Sequence, residues 1–216
     1  MIHTKKNVAL AADAYLETRY PDAVCSLTYE GDPWRLLVMA RLSAQCTDAR
    51  VNIVSVPLFE AYPTAADMAV CDIAALEEIV RPCGLYHTKA RDLRRMSEQL
   101  ITDFGGRVPD TMDELLTLAG VGRKIANLIL GDVYHKGGIV ADTHCIRITG
   151  RLGLTASSVP AKVEKDVEVL LPKDKQSAFC HRLVMFGRDV CMARSPKCGE
   201  CELKKNGVCW YGNNEK

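Results

Sequence analysis

The chain has 216 residues, a formal net charge of +1 and 25% charged residues. This length can bury a hydrophobic core without disulfides, and the near-neutral charge excludes a uniformly basic nucleic-acid binder, so any DNA binding must come from local patches. The N-terminal residues alternate polar and apolar where a signal peptide needs a continuous apolar core, and no apolar run reaches the roughly 18 residues of a membrane span. We therefore predict a cytoplasmic protein with no membrane association and with reduced thiols.

Apolar residues recur at three- and four-residue spacings along almost the whole chain, which predicts about ten short helices and close to no strand. Asp32 before Pro33 is typical of an N-cap followed by a first-turn proline. A long helix is expected to stop at Gly105, and Thr111 with Glu114 matches the T-x-x-E capping box. The predicted fold class is all-α.

The segment "LLTLAGVGRKIANLIL" predicts two helices joined by a tight turn, the first ending at Gly120 and the second beginning near Gly122. Gly-Val-Gly leaves backbone amides at a helix N-terminus, where they can bind an anion such as a DNA phosphate. The alternative is an ordinary corner that needs glycine only for its backbone angles. Lys124 follows at once, directly before an apolar run.

The segment "GGIVADTHCIRITGRL" places Asp142 at a predicted helix start, 18 positions after Lys124. Its carboxylate could stabilise a developing cation or accept a proton. It could also simply cap the helix that begins at Thr143. The two roles are compatible, because capping fixes the direction of the carboxylate.

The ten cysteines fall into two groups. Six are scattered among apolar neighbours and are expected to be small buried residues: Cys25, Cys46, Cys71, Cys83, Cys145 and Cys180. The other four, Cys191, Cys198, Cys201 and Cys209, are separated by six, two and seven residues. A zinc ribbon normally has two C-x-x-C pairs and this group has one, whereas four thiolates also suit an iron-sulfur cubane.

Together these motifs resemble the endonuclease III branch of the helix-hairpin-helix DNA glycosylases, from about Trp34 to Cys209. The resemblance implies that Lys124 attacks C1′ of a damaged nucleotide, expels the base and forms a Schiff base, after which β-elimination cuts the strand on the 3′ side. It implies that Asp142 assists this chemistry. We expect burial at the helix N-terminus to keep the Lys124 amine neutral.

The resemblance also implies how the enzyme contacts DNA. In "LSAQCTD" and "GLYHTKA", Gln45 and Leu85 would fill the space left by the flipped nucleotide; without the family, Gln45 would be a polar residue at a helix end and Leu85 a core residue. The downstream "KARDLRR" could follow phosphates, although a solvated charged face is the preferred interpretation for most of its members. The remaining implied DNA contacts are Gly120, Val121, Gly122, Arg123, His144, Arg194 and Lys197. For His144 a structural role is an equal alternative.

The implied fold has two lobes: residues 24–136 as a six-helix barrel that ends in the hairpin, and residues 1–23 with 137–216 as a discontinuous lobe that carries a 4Fe-4S cluster, with zinc as the alternative. Lys124 and Asp142 would face one another between the lobes. The implied function is removal of oxidised pyrimidines from duplex DNA by a monomeric, nucleoid-associated glycosylase and lyase. Two alternatives remain: a relative with lyase activity alone or another lesion, and a non-catalytic module that binds DNA damage.

The sequence departs from the family pattern at four places. Ala119 stands where proline usually precedes G-V-G, Ile125 where threonine usually follows the lysine, and Phe186 where histidine is common. The last cysteine gap, in "CELKKNGVC", is two residues longer than the usual five. None of these departures touches Lys124 or Asp142.

Overall fold

The computed structural model describes residues 4–211, and every regular element within them is helical, which confirms the all-α prediction. There are twelve α-helices in this part of the chain, with a 3₁₀ turn at Arg81–Cys83 between the fifth and the sixth. They are α1 (Lys5–Arg19), α2 (Pro33–Leu42), α3 (Asp48–Ala61), α4 (Ala65–Ala69), α5 (Ile73–Val80), α6 (Tyr86–Phe104), α7 (Met112–Leu115), α8 (Arg123–Asp132), α9 (Thr143–Arg151), α10 (Pro160–Glu168), α11 (Lys173–Asp189) and α12 (Glu202–Lys205).

Contacts divide the chain into two compact units. The first, which we call the hairpin unit, is Cys25–Tyr134 and contains α2 to α8. The second, which we call the cysteine unit, consists of Met1–Val24 and His135–Lys216 and contains α1 and α9 to α12.

Several helices begin at the capping residues that the sequence predicts. The Asp32 carboxylate accepts a hydrogen bond from the Trp34 N–H at 2.8 Å, with Pro33 in the first turn of α2. Such a cap satisfies an N–H group that has no partner within the helix. Helix α6, the longest helix of the hairpin unit, ends as expected at Gly105, which adopts a left-handed conformation (φ 60°).

The core of the hairpin unit is built around α6. Ala90, Leu93, Met96 and Leu100 are fully buried, and their three- and four-residue spacing places them on one face of the helix. They pack into a cluster with apolar residues of α2, α3, α5 and α8. This core fixes the positions of the loops that lead into α3, α6 and α8.

The cysteine unit has a separate core in which the N-terminal helix packs against α11. Asp13 on α1 is 1% exposed, and its carboxylate receives hydrogen bonds from Lys175 at 3.1 Å and Arg182 at 3.2 Å, both on α11. A buried carboxylate requires such partners, because an unpaired buried charge is strongly destabilising. These ion pairs attach the chain's first helix to the segment that leads into the four C-terminal cysteines.

Candidate active site and cysteine cluster

The turn before α8 differs from the sequence prediction. The first helix does not extend to Gly120, because α7 ends at Leu115. Beyond that point the backbone makes tighter bonds from the Thr117 N–H to the Glu114 carbonyl (3.0 Å) and from the Leu118 N–H to the Leu115 carbonyl (3.2 Å). The Thr117 hydroxyl also donates to the Glu114 carbonyl at 2.7 Å, which occupies the acceptor that a longer helix would use.

The predicted capping box at Thr111 is only half formed. The Thr111 hydroxyl accepts from the Glu114 N–H at 3.4 Å and donates to the Glu114 carboxylate at 2.6 Å. The reciprocal bond to the Thr111 N–H is not formed within residues 4–211. A complete capping box occurs instead at Thr64 and Asp67, at the start of α4.

Gly120 allows the turn to lie directly against an ion pair. It has φ +74°, and a Cβ at this position would come within 2.5 Å of Arg41 Nε and 2.8 Å of Asp92 Oδ2. Arg41 and Asp92 are hydrogen-bonded to each other at 2.8 Å. Any side chain here would be both conformationally strained and in steric conflict, so glycine is required for two reasons.

The side chain of Gln99 holds the same turn from α6. Its Oε1 accepts from the Ala119 N–H at 2.8 Å, and its Nε2 donates to the Thr117 carbonyl at 3.0 Å. Ala119 stands where the related sequences usually have proline, which has no N–H to donate. One amide therefore binds two backbone groups of the turn, a role that was not predicted from the sequence.

The helix that carries Lys124 begins without a side-chain cap. Its N-cap is Gly122, in an extended conformation with φ −107°. Gly122, Arg123 and Lys124 are exposed, whereas the Val121 side chain is buried. The expectation that Lys124 is buried is therefore wrong for the protein alone, because position 124 lies on the solvent side of the first turn of α8.

The two residues that were expected to enter the DNA stack share an uncommon backbone conformation. Gln45 has φ 54° and Leu85 has φ 51°, a region that residues other than glycine rarely adopt. Gln45 is exposed, and Leu85 is 55% exposed, which excludes the alternative of a core leucine. Both are therefore side chains presented to solvent from tight turns of the hairpin unit.

Asp142 is the N-cap of α9, as the sequence predicts. Its Oδ1 accepts from the Cys145 N–H at 2.7 Å. The side chain is half-buried, and its direction is fixed by this bond. Asp142 belongs to the cysteine unit, whereas Lys124 belongs to the hairpin unit.

His144 packs against the backbone of α11. Its Nδ1 lies 3.2 Å from Arg147 Nη2, and a Cβ added to Gly187 would come within 2.3 Å of Nδ1. The ring is half-buried. These contacts give His144 a structural role, and a DNA contact stays a prediction.

The four C-terminal cysteines line one small pocket. The longer last gap is absorbed by α12 and by Gly207, which has φ 68°. The N–H groups of Val208 and Cys209 both then bond to the Leu203 carbonyl at 2.9 Å, so the chain folds back. Cys209 thereby reaches the same pocket as Cys191, Cys198 and Cys201.

Two arginines of α9 hold the start of the cysteine loop, and neither was predicted from the sequence. Arg151 donates to the Cys191 sulfur at 3.2 Å and to the Met192 carbonyl at 2.7 Å. Arg147 donates to the Cys191 carbonyl at 3.0 Å. Their spacing of four residues, on a helix that begins at Asp142, is a sequence signal that could have identified them.

The cations of the cysteine loop are accessible. Arg194 and Lys197 are both exposed. The Lys197 N–H donates to the Val190 carbonyl at 2.9 Å, and this bond closes the loop from Val190 to Lys197.

Phe186, one of the departures from the family pattern, is buried and packs edge-on against Tyr15 at 6.2 Å between ring centroids.

Comparison with known proteins agrees with this geometry. The family model described as HhH-GPD superfamily base excision DNA repair protein matches residues 38–173, and the iron-sulfur binding domain of endonuclease III matches residues 191–205. Endonuclease III of Synechocystis sp. is 41% identical over 93% of this chain and 91% of its own length, and that of Bacillus subtilis is 40% identical over 85% and 84%. The chain belongs to the endonuclease III family.

The same family is represented among solved structures. A trapped endonuclease III–DNA covalent intermediate superposes on this chain with a TM-score of 0.89 at 38% identity, covering 97% of both chains. Membership of this family makes the chain a base excision repair enzyme, a DNA glycosylase with abasic-site lyase activity that binds DNA. No helix within residues 4–211 is long and apolar enough to cross a membrane.

The cofactor of this enzyme family is a 4Fe-4S cluster, and the geometry of the cysteines fits it. The thiolates of four cysteines are the ligand set of such a cluster, and all four of these cysteines line one pocket.

Proposed function

We propose that this enzyme removes oxidised pyrimidines from duplex DNA and cuts the strand through a Schiff base at Lys124. The observation that supports this most directly is the position of Lys124, exposed in the first turn of α8 immediately after the Gly-Val-Gly turn. The relative trapped as a covalent intermediate with DNA is of the same family.

In this proposal the Lys124 amine attacks C1′ as the bond from C1′ to the base breaks, and the base leaves with the bonding electron pair. Loss of the amine proton and opening of the sugar give the Schiff base, and removal of a C2′ proton then expels the 3′ phosphate. Only the neutral amine is nucleophilic. Since Lys124 is exposed in the protein alone, we propose that the bound nucleotide displaces water from it.

The Asp142 carboxylate stabilises the positive charge that develops on the sugar as the base departs, and it accepts a proton from the attacking amine. Its bond to the Cys145 N–H holds one oxygen in place before DNA binds. A carboxylate fixed in this way has little reorganisation left to undergo during the reaction.

Gln45 and Leu85 fill the space that the flipped nucleotide leaves in the duplex. Their exposure and left-handed turns support this role, because a wedge must project from the surface on a short, firm loop.

The turn formed by Gly120, Val121, Gly122 and Arg123 binds phosphate, which suits a helix N-terminus that has no side-chain cap. The Val121 N–H already donates to the Leu118 carbonyl at 3.1 Å, so this residue shapes the turn and is not itself a donor to the phosphate. We assign further contacts with the DNA backbone to His144, Arg194 and Lys197.

The cluster is bound by Cys191, Cys198, Cys201 and Cys209. Its contribution is to keep the loop that carries Arg194 and Lys197 rigid. We also propose that the enzyme acts as a monomer associated with the nucleoid; sedimentation with and without a duplex would test the monomer.

The experiment that tests the proposal is borohydride trapping on duplexes that carry an abasic site, an oxidised pyrimidine or an adenine mispair. Borohydride reduces the Schiff base to a stable crosslink, so a shifted band reports the covalent step. We expect wild type to trap on the first two duplexes and Lys124→Ala on none. Lys165→Ala, which removes an exposed lysine of α10, is the matched control and should trap like wild type.

Two outcomes would reject parts of the proposal. Trapping on the abasic duplex alone would make the protein a lyase without this glycosylase specificity. Damage-specific binding with no trapping on any duplex would favour the non-catalytic damage-binding module.

A further inference from the structure

Lys89 is the largest side chain of the hairpin unit that is fully buried, although it lies in a charged segment whose sequence predicted a solvated or phosphate-facing surface. Lys89 is therefore an exception within this segment, for most of which a solvated face is predicted. Its ammonium donates to the Leu42 carbonyl and to the Cys83 carbonyl, each at 2.8 Å. A buried ammonium is costly to form, and these two bonds are what offsets the cost.

Both acceptors terminate helical elements. Leu42 is the last residue of α2, and Cys83 is the last residue of the 3₁₀ turn. The last carbonyls of a helix have no partner within it, and the negative end of the helix dipole attracts a cation. Lys89 therefore caps two helix ends with one charge.

Each of these helix ends leads directly into a proposed DNA wedge. Gln45 lies three residues after Leu42, and Leu85 lies two residues after Cys83. Both wedges have positive φ values, 54° and 51°, which cost free energy and persist only where surrounding contacts enforce them. The two carbonyls bonded to Lys89 are the fixed points from which these turns start.

The loops also meet each other beside the ammonium. The thiol of Cys46, the residue after Gln45, is close enough to the thiol of Cys83 to contribute to raising its pKa. Burial raises the pKa of the Cys83 thiol to about 11, and burial lowers the pKa of Lys89. Lys89 is thus hydrogen-bonded to the residues that begin both wedge loops.

We infer that Lys89 is a positioning residue that holds the Gln45 and Leu85 loops in a fixed relation, so that both side chains enter the duplex together. The inference rests on the proposed function, in which Gln45 and Leu85 are the wedges. Lys89 touches neither DNA nor the reacting atoms in this scheme. Its effect on the reaction passes through the two loops.

The test compares borohydride trapping rates at saturating enzyme on one abasic strand, either paired in a duplex or alone. A single strand has no paired stack to fill, so it does not need the wedges. Lys89→Met keeps the length of the side chain and removes both hydrogen bonds. We expect it to lower the duplex rate by about tenfold to a hundredfold, as misplaced positioning groups do, and to change the single-strand rate by less than about threefold.

Ser97→Ala is the matched control. Ser97 is also fully buried on α6, and its hydroxyl accepts from Trp34 Nε1 at 3.4 Å, away from the wedge loops. This variant should lower the melting temperature without changing the ratio of duplex to single-strand rates. If Lys89→Met lowers both rates equally, as a general loss of stability would, the inference is wrong.

Combination with wedge variants separates failure of the inference from failure of the proposed function. Gln45→Ala and Leu85→Ala should each lower the duplex rate selectively, and Lys89→Met should add little to the double wedge variant. If the wedge variants have no duplex-specific effect, the wedge assignment fails and the inference fails with it. If they have that effect and Lys89→Met does not, only the inference fails. Should Lys89→Met not fold, Lys89→Arg keeps the charge but displaces the donors, and the same rate ratio decides.

Discussion

The helices that carry Lys124 and Asp142 begin in opposite ways. At the start of α9, Asp142 accepts from the Cys145 N–H at 2.7 Å, so the helix is capped by its own carboxylate. At the start of α8, Gly122 provides no side-chain cap. The first N–H groups of both helices have no carbonyl partner within the helix. Only in α9 does the side chain of the N-cap residue accept a hydrogen bond from one of them.

The difference indicates which helix end is suited to an external anion. An uncapped N-terminus with exposed glycine can approach a phosphate closely, whereas a carboxylate at that position would repel it. At α9 the carboxylate is instead the functional group of the proposed mechanism, and capping fixes its direction. In our proposal the same local chemistry therefore serves DNA binding in one helix and catalysis in the other.

Replacing Asp142 has the largest expected effect on this contrast. Asp142→Asn keeps an oxygen that can cap α9 but removes the negative charge, so base release should slow by about a hundredfold or more while stability stays close to wild type. Asp142→Ala should lose the same activity and also about 1 kcal/mol of unfolding free energy. Single-turnover glycosylase rates and thermal melts measure the two effects. Equal melts for the alanine and asparagine variants would show that the cap contributes no stability.

Converting α8 to the α9 arrangement is the second test. A Cβ at Gly122 would meet no atom within 4 Å, and φ −107° suits any residue. Gly122→Ser and Gly122→Asp should both cap the helix, but only aspartate repels phosphate, so its affinity for an abasic-analogue duplex should be about tenfold weaker than that of the serine variant. Equal affinities at low salt would mean that no phosphate lies at this helix end.

The exposed cations of the cysteine loop are expected to have a smaller effect on DNA affinity, and it should appear in the salt dependence of binding. Arg194→Ala with Lys197→Ala should reduce the slope of log affinity against log salt by about 0.9 for each phosphate that the protein no longer neutralises. Binding titrations at several salt concentrations measure this slope. Lys162→Ala with Lys165→Ala removes the same charge from α10 and should leave the slope unchanged; an equal change there would mean that net charge alone is responsible.

The contrast between the two helix ends was predictable from the sequence, because caps and glycine turns are set by neighbouring residues. Asp32 and Asp142 are N-caps as predicted, since a short carboxylate reaches its own helix wherever that helix packs. The end of α7 was not predictable in this way. "LLTLAG" has helical spacing, but the Gln99 amide, from a distant part of the chain, binds the turn that the helix would otherwise have continued through.

Burial of polar side chains was the least predictable feature. Lys89 was interpreted by its charge, although the spacing of positions 89, 93, 96 and 100 places it on the buried face of α6. Lys124 was expected to be buried on chemical grounds and is exposed. In both cases the side chain's environment depends on partners outside its own helix, namely two helix-end carbonyls for Lys89 and, in our proposal, the substrate for Lys124.

The smallest expected effect concerns the turn before α8, which is hydrogen-bonded to the Gln99 side chain of α6. Gln99→Ala leaves the Ala119 N–H and the Thr117 carbonyl without their side-chain partner, so it should lower the unfolding free energy by about 1 kcal/mol and weaken DNA binding a few-fold. Glu98→Ala, which removes only an exposed pair with Arg94, is the matched control.

Ala119→Pro decides whether Gln99 compensates for the missing proline. Proline has no N–H and so removes one of the two groups that Gln99 binds. Gln99→Ala should therefore lower the free energy of unfolding by less in the Ala119→Pro background than in wild type. A coupling of this sign in denaturant unfolding would mean that a side chain of α6 performs here what a rigid ring performs in related sequences. Strict additivity would mean that the turn holds its shape through Gly120 and its contact with Arg41 and Asp92 alone, and Gln99 would then contribute stability without positioning α8.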